Sequence, residues 1–329
     1  MKKLIAGIIV AGIFIYLTLR GVDFGQVGAS LADVSFPYLF LALFQFILIS
    51  ICRSLRWGVI LRFLVHIPQL RLFPLFSVGL MAVVVLPARL GELVRPYALR
   101  SKVDVPYMPV LGTILVERLL DITVILAILG AVVLEPQSPP WLVRSGYGAL
   151  VALGLLLGGI TILHYQTDRV LRLVHWVASR ISVRLGDLMV RAIRNLEGGL
   201  HIISSPWSLL LALAMSALVW GLSASAIYTL FRFQGLELPA IAAFTVLVIT
   251  VAGISLPTAP GMIGNFHYAS VLALSLYSVP KEAAFAFSMV YYLSGIGLII
   301  LLGLFSLPYV NIRFGNLMGE LATWTGKRN

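Results

Sequence analysis

Long apolar runs separated by short polar segments dominate this chain. As an α-helix rising about 1.5 Å per residue, each of six runs would cross the roughly 30 Å hydrocarbon core of a bilayer. They lie near residues 4–20, 36–52, 110–134, 147–164, 207–231 and 283–310. The pattern predicts an all-α, polytopic integral membrane protein with six full spans.

Two further apolar runs, near residues 72–87 and 239–256, behave differently. Each ends in the dipeptide Leu-Pro and leads into Pro- and Gly-rich sequence rather than into an ordinary polar loop. Proline removes a backbone donor and interrupts a helix. We therefore predict that each run enters the membrane, breaks and returns on the same side as a re-entrant hairpin, which brings the hydrophobic helices to about eight.

The distribution of basic residues supports the two hairpins. A full crossing at 72–87 would export the basic residues between 89 and 102, although cytoplasmic loops normally carry the excess of Lys and Arg. If both hairpins are re-entrant, both termini are cytoplasmic, and we expect the chain in the cell membrane. Four of the 24 basic residues then lie outside, namely Arg20, Arg144, Arg232 and Lys281.

The two interrupted regions also resemble each other. Residues 85–92 and 255–261 both contain a Leu-Pro pair followed by small residues and glycine. In the predicted topology they are approached from opposite faces, which suggests an inverted repeat. Paired interrupted segments in two halves are typical of transporters that bind substrate between broken helices. Such backbone is tolerated at membrane depth only where protein buries it or a wet cavity borders it.

Composition narrows the possible functions. The chain is 60% hydrophobic and 11% charged, so water is not its main solvent. The single cysteine, Cys52, excludes an intramolecular disulfide and a cysteine-based metal cluster. The net charge of +11 is placed between apolar spans, where it sets orientation and attracts anionic lipid rather than nucleic acid.

One basic segment and the first span complete the domain picture. Six arginines alternate with apolar residues at near-helical spacing within 166–206, which predicts interfacial amphipathic helices on the anionic inner leaflet. The apolar run after Lys2 and Lys3 lacks a small-x-small cleavage site, so we expect the first span to be retained. We expect one transmembrane domain over 1–310 and a short cytoplasmic tail over 311–329.

The first charged motif follows the 72–87 run directly. Arg89, Glu92 and Arg95 would share one helical face because they are three residues apart. The planar guanidinium suits a phosphate or carboxylate, and the glutamate could orient one arginine. Alternatively, Arg89 and Glu92 pair to make the turn tolerable in lipid, while Arg95 extends to the cytoplasmic surface.

The second charged motif lies inside the 110–134 span. Glu117 and Asp121 fall on one helical face at i and i+4, with Arg118 beside them. Ionisable groups at membrane depth usually face a partner, a bundle interior or a water-filled path. These residues could border a head-group cavity and carry protons, or they could be an ion-pair cluster that joins this helix to the Arg89 and Glu92 loop.

The third motif is the uncharged turn of the second hairpin. It contains Pro257, Pro260, Gly261 and Gly264, followed by the titratable His267. The N-terminus of a half-helix presents free N–H groups that could hold an anionic group. His267 is either a proton relay or a structural hydrogen-bond partner.

Several catalytic motifs are missing from the sequence. It contains no HExxH, no GxSxG and no Walker A loop. We therefore expect no ATP-driven pumping by this chain alone, no metal and no cofactor.

Together and in this order, the three motifs resemble the flippase-like membrane domain family, also called the lysylphosphatidylglycerol synthase transmembrane region. The similarity rests on P-x-R-x-G-E-x-x-R at 87–95, E-R-x-x-D at 117–121, and P-x-x-P-G-x-x-G with the following Phe-His at 257–267. In the best-known relatives a similar domain is fused to a soluble aminoacyl-lipid synthase and is held to carry the modified phospholipid between leaflets. This sequence lacks that domain, so the resemblance implies lipid movement without aminoacyl transfer and leaves the lipid open.

These observations favour a lipid flippase or scramblase that holds a head group in a polar cavity, with a phospholipid, glycolipid or polyprenyl-linked lipid as substrate. Three other interpretations stay open. They are a lipid-modifying enzyme using Glu117, Asp121 and His267 as acid–base groups, a non-catalytic partner of a lipid-synthesis complex, and a small-solute carrier.

Overall fold

The computed structural model describes residues 12–86, 91–135, 139–180, 205–255 and 260–310, together with the single positions 182, 183, 190 and 202. Within these ranges the regular structure is entirely helical, which confirms the predicted all-α class. The helices are α1 (12–19), α2 (Phe24–Ala29), α3 (Phe36–Leu61), α4 (Gln69–Val85), α5 (Val94–Arg100), α6 (Tyr107–Val133), α7 (Pro140–Tyr165), α8 (Thr167–Ser179), α9 (Pro206–Phe233), α10 (Ala240–Ser255), α11 (Ile263–Ser275), α12 (Lys281–Tyr292) and α13 (Leu298–Val310).

Three helices of the described chain are long and apolar enough to cross a membrane. They are α3, α9 and the continuous helix Lys281–Val310, in which a π-helical turn, Leu293–Gly297, joins α12 to α13. Helices α6 and α7 are of similar length, with 27 and 26 residues, and α6 carries three charged residues near its middle. The total of six full spans stays a prediction.

Both regions that the sequence predicted to break are interrupted. The short apolar helix α4 ends at Val85, and a 3₁₀ turn over residues 91–93 precedes α5. The short apolar helix α10 ends at Ser255, and the 3₁₀ turn Pro260–Met262 precedes α11. Within each pair the two helices pack together, α4 on α5 and α10 on α11. Their re-entrant path through a membrane stays a prediction.

The chain divides into two compact units. Unit 1 comprises residues 1–54, 68–104 and 221–329, and unit 2 comprises residues 55–67 and 105–220. In unit 1, α4 packs along α13, α11 packs on α12, and α4 also contacts the Pro260–Met262 turn. In unit 2, α7 packs against both α6 and α8. Unit 1 therefore contains both interrupted hairpins.

Glycines at three contacts let α4 approach its neighbours. A Cβ on Gly91 would overlap the backbone of Ala82 and Val83, and a Cβ on Gly303 of α13 would overlap Met81. A Cβ on Gly79 would overlap the side-chain stem of Arg95. Small residues of this kind allow close helix packing where lipid supplies no hydrophobic driving force.

The second hairpin is held by a similarly close contact. A Cβ on Gly253 would lie 2.6 Å from the Cβ of Ala269. The side-chain amide of Asn265 donates to the Gly253 carbonyl at 3.1 Å, so it satisfies a backbone acceptor near the end of α10. At the turn itself Gly261 and Met262 both have positive φ, +79° and +58°, which reverses the chain before α11 begins.

Candidate functional site

Unit 2 contains a buried ion-pair cluster built on α6. Asp121 accepts from both terminal nitrogens of Arg56, with Nη1 to Oδ1 at 2.5 Å and Nη2 to Oδ2 at 3.2 Å. Glu117, one turn earlier on the same face, lies 3.7 Å from Arg56 Nη2. The exposed fractions of Arg56, Glu117 and Asp121 are 3%, 1% and 8%. One guanidinium therefore serves two buried carboxylates.

Neighbouring polar groups from α9 complete the cluster. The indole of Trp220 donates to Asp121 Oδ1 at 3.0 Å. Arg56 Nη1 also donates to Ser216 Oγ at 2.6 Å, and Ser216 in turn donates to the carbonyl of Ala212. Arg118 approaches Asp121 Oδ2 at 3.7 Å from a more exposed position. Asp121 thus accepts three hydrogen bonds, which fixes its orientation.

The sequence did not identify the main partner of this motif. One alternative joined the motif to the loop around Arg89 and Glu92, and this stays a prediction because Arg89 lies outside the described residues. The structure places Arg56 against Asp121. The apolar run near 36–52 was taken to end before Arg56, but α3 continues to Leu61 and carries this arginine inside the helix. The sequence signal that could have identified Arg56 is a charged residue shortly after an apolar run, in a segment that can continue the same helix.

The first charged motif lies in unit 1 and is partly described. Arg89 lies outside the described residues, and Glu92 is half-buried in the 3₁₀ turn before α5. Arg95 is 1% exposed, and its guanidinium lies 4.7 Å from the ring centroid of Phe76 on α4. The suggestion that Arg95 extends to the cytoplasmic surface is therefore wrong. Its stem occupies the space that the missing side chain of Gly79 leaves.

The third motif is organised by α11 and α12. Pro257 lies outside the described residues, Pro260 is exposed, and Gly264 is buried. The hydroxyl of Tyr292 donates to the Gly261 carbonyl at 2.7 Å, so α12 secures the turn where the backbone has positive φ. This tyrosine is a positioning residue for the turn.

Ser288 is the hydrogen-bond partner of His267. His267 Nδ1 lies 2.9 Å from Ser288 Oγ, and Ser288 Oγ lies 2.7 Å from the Phe285 carbonyl. A hydroxyl has one proton, so when Ser288 donates to that carbonyl it accepts from an N–H at Nδ1. In that tautomer Nε2 can accept a proton or a hydrogen bond.

The structure groups nine of the eleven sequence-predicted residues by unit. Glu117, Arg118 and Asp121 lie in unit 2, together with Arg56. Glu92, Arg95, Pro260, Gly261, Gly264 and His267 lie in unit 1, where α4 contacts the 260–262 turn. The described residues of the first and third motifs thus share unit 1, and those of the second motif lie in unit 2.

These features define a multi-pass helical membrane protein whose interrupted helical hairpins and buried ion pairs lie among apolar helices. Residues 4–303 match the family described as the lysylphosphatidylglycerol synthase TM region, and the chain belongs to this family. The match confirms the resemblance drawn from the three motifs. The catalytic part of that family is a separate domain from this membrane region. A search among curated proteins found no match.

Proposed function

We propose that this chain moves a lipid between the two leaflets of the cell membrane, as a flippase or scramblase. The observation that carries the proposal is the packing of both interrupted hairpins into one unit, with α4 against the Pro260–Met262 turn. Interrupted helices expose backbone groups that are tolerated at membrane depth only beside protein or a wet cavity. Membership of a membrane family related to lipid synthesis supports a lipid as the substrate.

The charged residues of the first hairpin are the proposed contacts for a head group. Arg95 is held by Phe76 and Gly79, which preorganises its guanidinium for a phosphate or another anion. Arg89 would supply a second cation, and Glu92 would orient one of the two. The turn from Pro257 to Gly264 would complete the site, with His267 Nε2 as an acceptor for a proton or a head-group donor.

The cluster on α6 has a different proposed role. Asp121 is already engaged by Arg56 and Trp220, so it is better suited to holding α3, α6 and α9 in register than to binding a substrate. Glu117 and Arg118 flank this pair and are the members that could meet a head group. The sequence has no nucleotide-binding motif, so transport would draw on the lipid gradient, the membrane potential or protons.

The orientation that we propose places both termini in the cytoplasm. It keeps 20 of the 24 basic residues on or reached from that side, since four lie outside. Helix α8 then lies at the inner leaflet directly after α7, where its arginines would meet anionic lipid.

Leaflet exchange in liposomes tests the proposal. The purified full chain is reconstituted, and the exchange of labelled anionic, zwitterionic and polyprenyl-phosphate lipids is measured with the wild type, Arg95→Gln and Arg144→Gln. We expect faster exchange of one lipid class and a loss of about tenfold or more in Arg95→Gln, since a charge-assisted hydrogen bond is worth about 1.5–3 kcal/mol. Arg144 is exposed on α7 and serves as the matched control, which should behave as the wild type.

Two results would count against the proposal. The first is a protein that shows a cooperative unfolding transition, and is therefore folded, but accelerates the exchange of no lipid class. This result would exclude lipid movement as the function. A chemically altered lipid recovered from the liposomes would favour the enzyme interpretation, because transport leaves the molecule unchanged. The same unfolding measurement on Arg95→Gln separates a lost contact from a lost fold.

A further inference from the structure

A cleft in unit 1 is lined by none of the candidate residues of the three motifs. It has a volume of about 240 Å³ and is bordered by α1, α11 and the segment that leads into α12. Its walls are formed mainly by Leu17, Val271, Leu272 and Val279, and Tyr268 and Lys281 also line it. The cleft therefore combines mostly apolar walls with one cation.

The hydroxyl groups along the walls do not make the interior polar. Thr18 donates to the Phe14 carbonyl at 2.7 Å, and Ser275 donates to the Leu272 carbonyl at 2.8 Å. Both of these hydroxyls thus donate their proton to the backbone of their own helix. The interior offers mostly hydrocarbon, which favours an apolar chain over a polar solute.

Lys281 lines the cleft and contacts the end of α1. Its Nζ donates to the carbonyls of Leu17 and Arg20, at 3.1 and 2.7 Å, and so places a cation at the C-terminal end of α1. Arg20, whose carbonyl accepts one of these hydrogen bonds, has an exposed side chain. Two acids lie close to these residues in the sequence. Asp23 caps the N-terminus of α2 by accepting from Gly25 N at 2.8 Å, and Glu282 lies in the first turn of α12, where the helix dipole favours an acid.

The positions of these two cations are unusual in the sequence. Under the topology proposed above, Arg20 and Lys281 are two of the four basic residues outside the cytoplasmic side. They are 261 residues apart, yet their chain segments meet at this cleft. Lys and Arg are concentrated in cytoplasmic loops because they set the orientation of the chain in the membrane. Orientation therefore does not explain two cations on neighbouring segments of the opposite side.

We propose that this cleft binds an anionic phospholipid of the outer leaflet, with one acyl chain between α1 and α11 and the phosphate at Arg20 and Lys281. The apolar walls select the chain, and the paired cations select an anionic head group. This is a binding site separate from the proposed transport path, and it depends on that proposal only for the choice of leaflet.

Lipid retention by the purified full chain tests the site. The protein in detergent is mixed with phosphatidylglycerol, with phosphatidylcholine of identical acyl chains, or with glycerol phosphate, and bound molecules are counted by native mass spectrometry. We expect retention of phosphatidylglycerol above phosphatidylcholine, with no retention of glycerol phosphate. One cation near a membrane surface corresponds to about a fivefold change in affinity, so Arg20→Gln should lower phosphatidylglycerol binding by about that factor.

A space-filling variant tests the acyl-chain part. Leu272→Trp should remove the part of the phosphatidylglycerol retention that Arg20→Gln weakens, while Arg144→Gln leaves retention unchanged. If Leu272→Trp unfolds at a lower temperature, Val279→Trp repeats the test. Equal retention of the two phospholipids, or unchanged phosphatidylglycerol binding in both tryptophan variants, would overturn the proposal. This assay reads binding alone, so its failure leaves lipid movement untouched, and a failed exchange assay leaves this site untouched.

Discussion

Arg56 and Asp121 illustrate how a buried charge is accommodated in this protein. Two oxygens of one carboxylate accept from two nitrogens of one guanidinium. Ser216 accepts a further hydrogen bond from the arginine, and Trp220 donates one to the aspartate. A buried pair of this kind is a weak source of net stability, because desolvation offsets most of its Coulomb attraction. Its removal is asymmetric, since a single substitution leaves an uncompensated charge inside the helices.

This asymmetry gives a prediction at the residue scale. Arg56→Met or Asp121→Leu alone should lower the free energy of unfolding by about 3–5 kcal/mol, whereas the double variant should lose clearly less than the sum. Unfolding of the purified protein in detergent measures all three. Additive losses would mean that the two side chains do not act as a pair. Arg144→Met on the exposed face of α7 controls for loss of an arginine as such.

The glycines give a second prediction at the same scale, with opposite signs at two positions. Gly91→Ala should cost about 1–3 kcal/mol, because its Cβ would overlap the backbone of Ala82 and Val83, which cannot move aside as a side chain can. Gly148→Ala, within α7, meets no atom within 4 Å and should stabilise by about 0.5–1 kcal/mol through helix propensity. Thermal unfolding of each variant in detergent reads the sign, and a stable Gly91→Ala would contradict the close packing of the first hairpin.

At the scale of elements, α8 is the clearest amphipathic helix among the described residues. Leu171 and Ala178 are buried, while Leu173, Trp176 and Val177 lie on an exposed apolar face. The exposed arginines Arg169 and Arg172 lie on the same helix, and the Arg180 guanidinium lies 3.9 Å from the ring centroid of Trp176. Because only Gln166 separates α8 from α7, this face is kept close to the end of a long apolar helix.

We therefore predict that α8 lies in the interfacial layer of an anionic membrane. The fluorescence of Trp176 is obtained as the difference between the wild type and Trp176→Phe. Brominated lipids should quench this fluorescence, and the quenching should be stronger with anionic than with zwitterionic lipid. Trp141→Phe, which removes an exposed tryptophan from the start of α7, is the comparison. If the fluorescence of Trp176 in vesicles of brominated lipid equals that in detergent without brominated lipid, an interfacial position for this face is excluded.

The topology of the whole molecule rests on the re-entrant path of the hairpins. Cysteine placed at Lys102, an exposed position after α5, should react with a membrane-impermeant thiol reagent only from the cytoplasmic side in a background in which Cys52 is replaced by alanine. Cysteine at Lys281 should react from the outside. Labelling of the Lys102 position from outside in intact cells would mean that α4 crosses the membrane fully and would invert the part of the chain that follows.

Much of the element-level architecture follows from local composition. Within the described residues the apolar runs form helices. Helices α4 and α10 end just before the two Leu-Pro dipeptides, because a residue that precedes proline disfavours the helical conformation. Boundaries were less predictable. Helix α3 extends nine residues beyond the apolar run that ended near 52. Its last turns contain polar as well as apolar side chains, and packing within the protein buries both.

By itself, the sequence determined that this is a helical membrane protein of its family, where its helices are interrupted, and which charged residues are candidates for a site. Those properties depend on residue type and short-range order along the chain. Only the tertiary structure decided that Asp121 faces Arg56, that Arg95 lies beneath Phe76, and that Lys281 meets the end of α1. Such pairings depend on which helix faces pack together. No local pattern encodes that choice, because packing of the whole unit joins partners up to 264 residues apart.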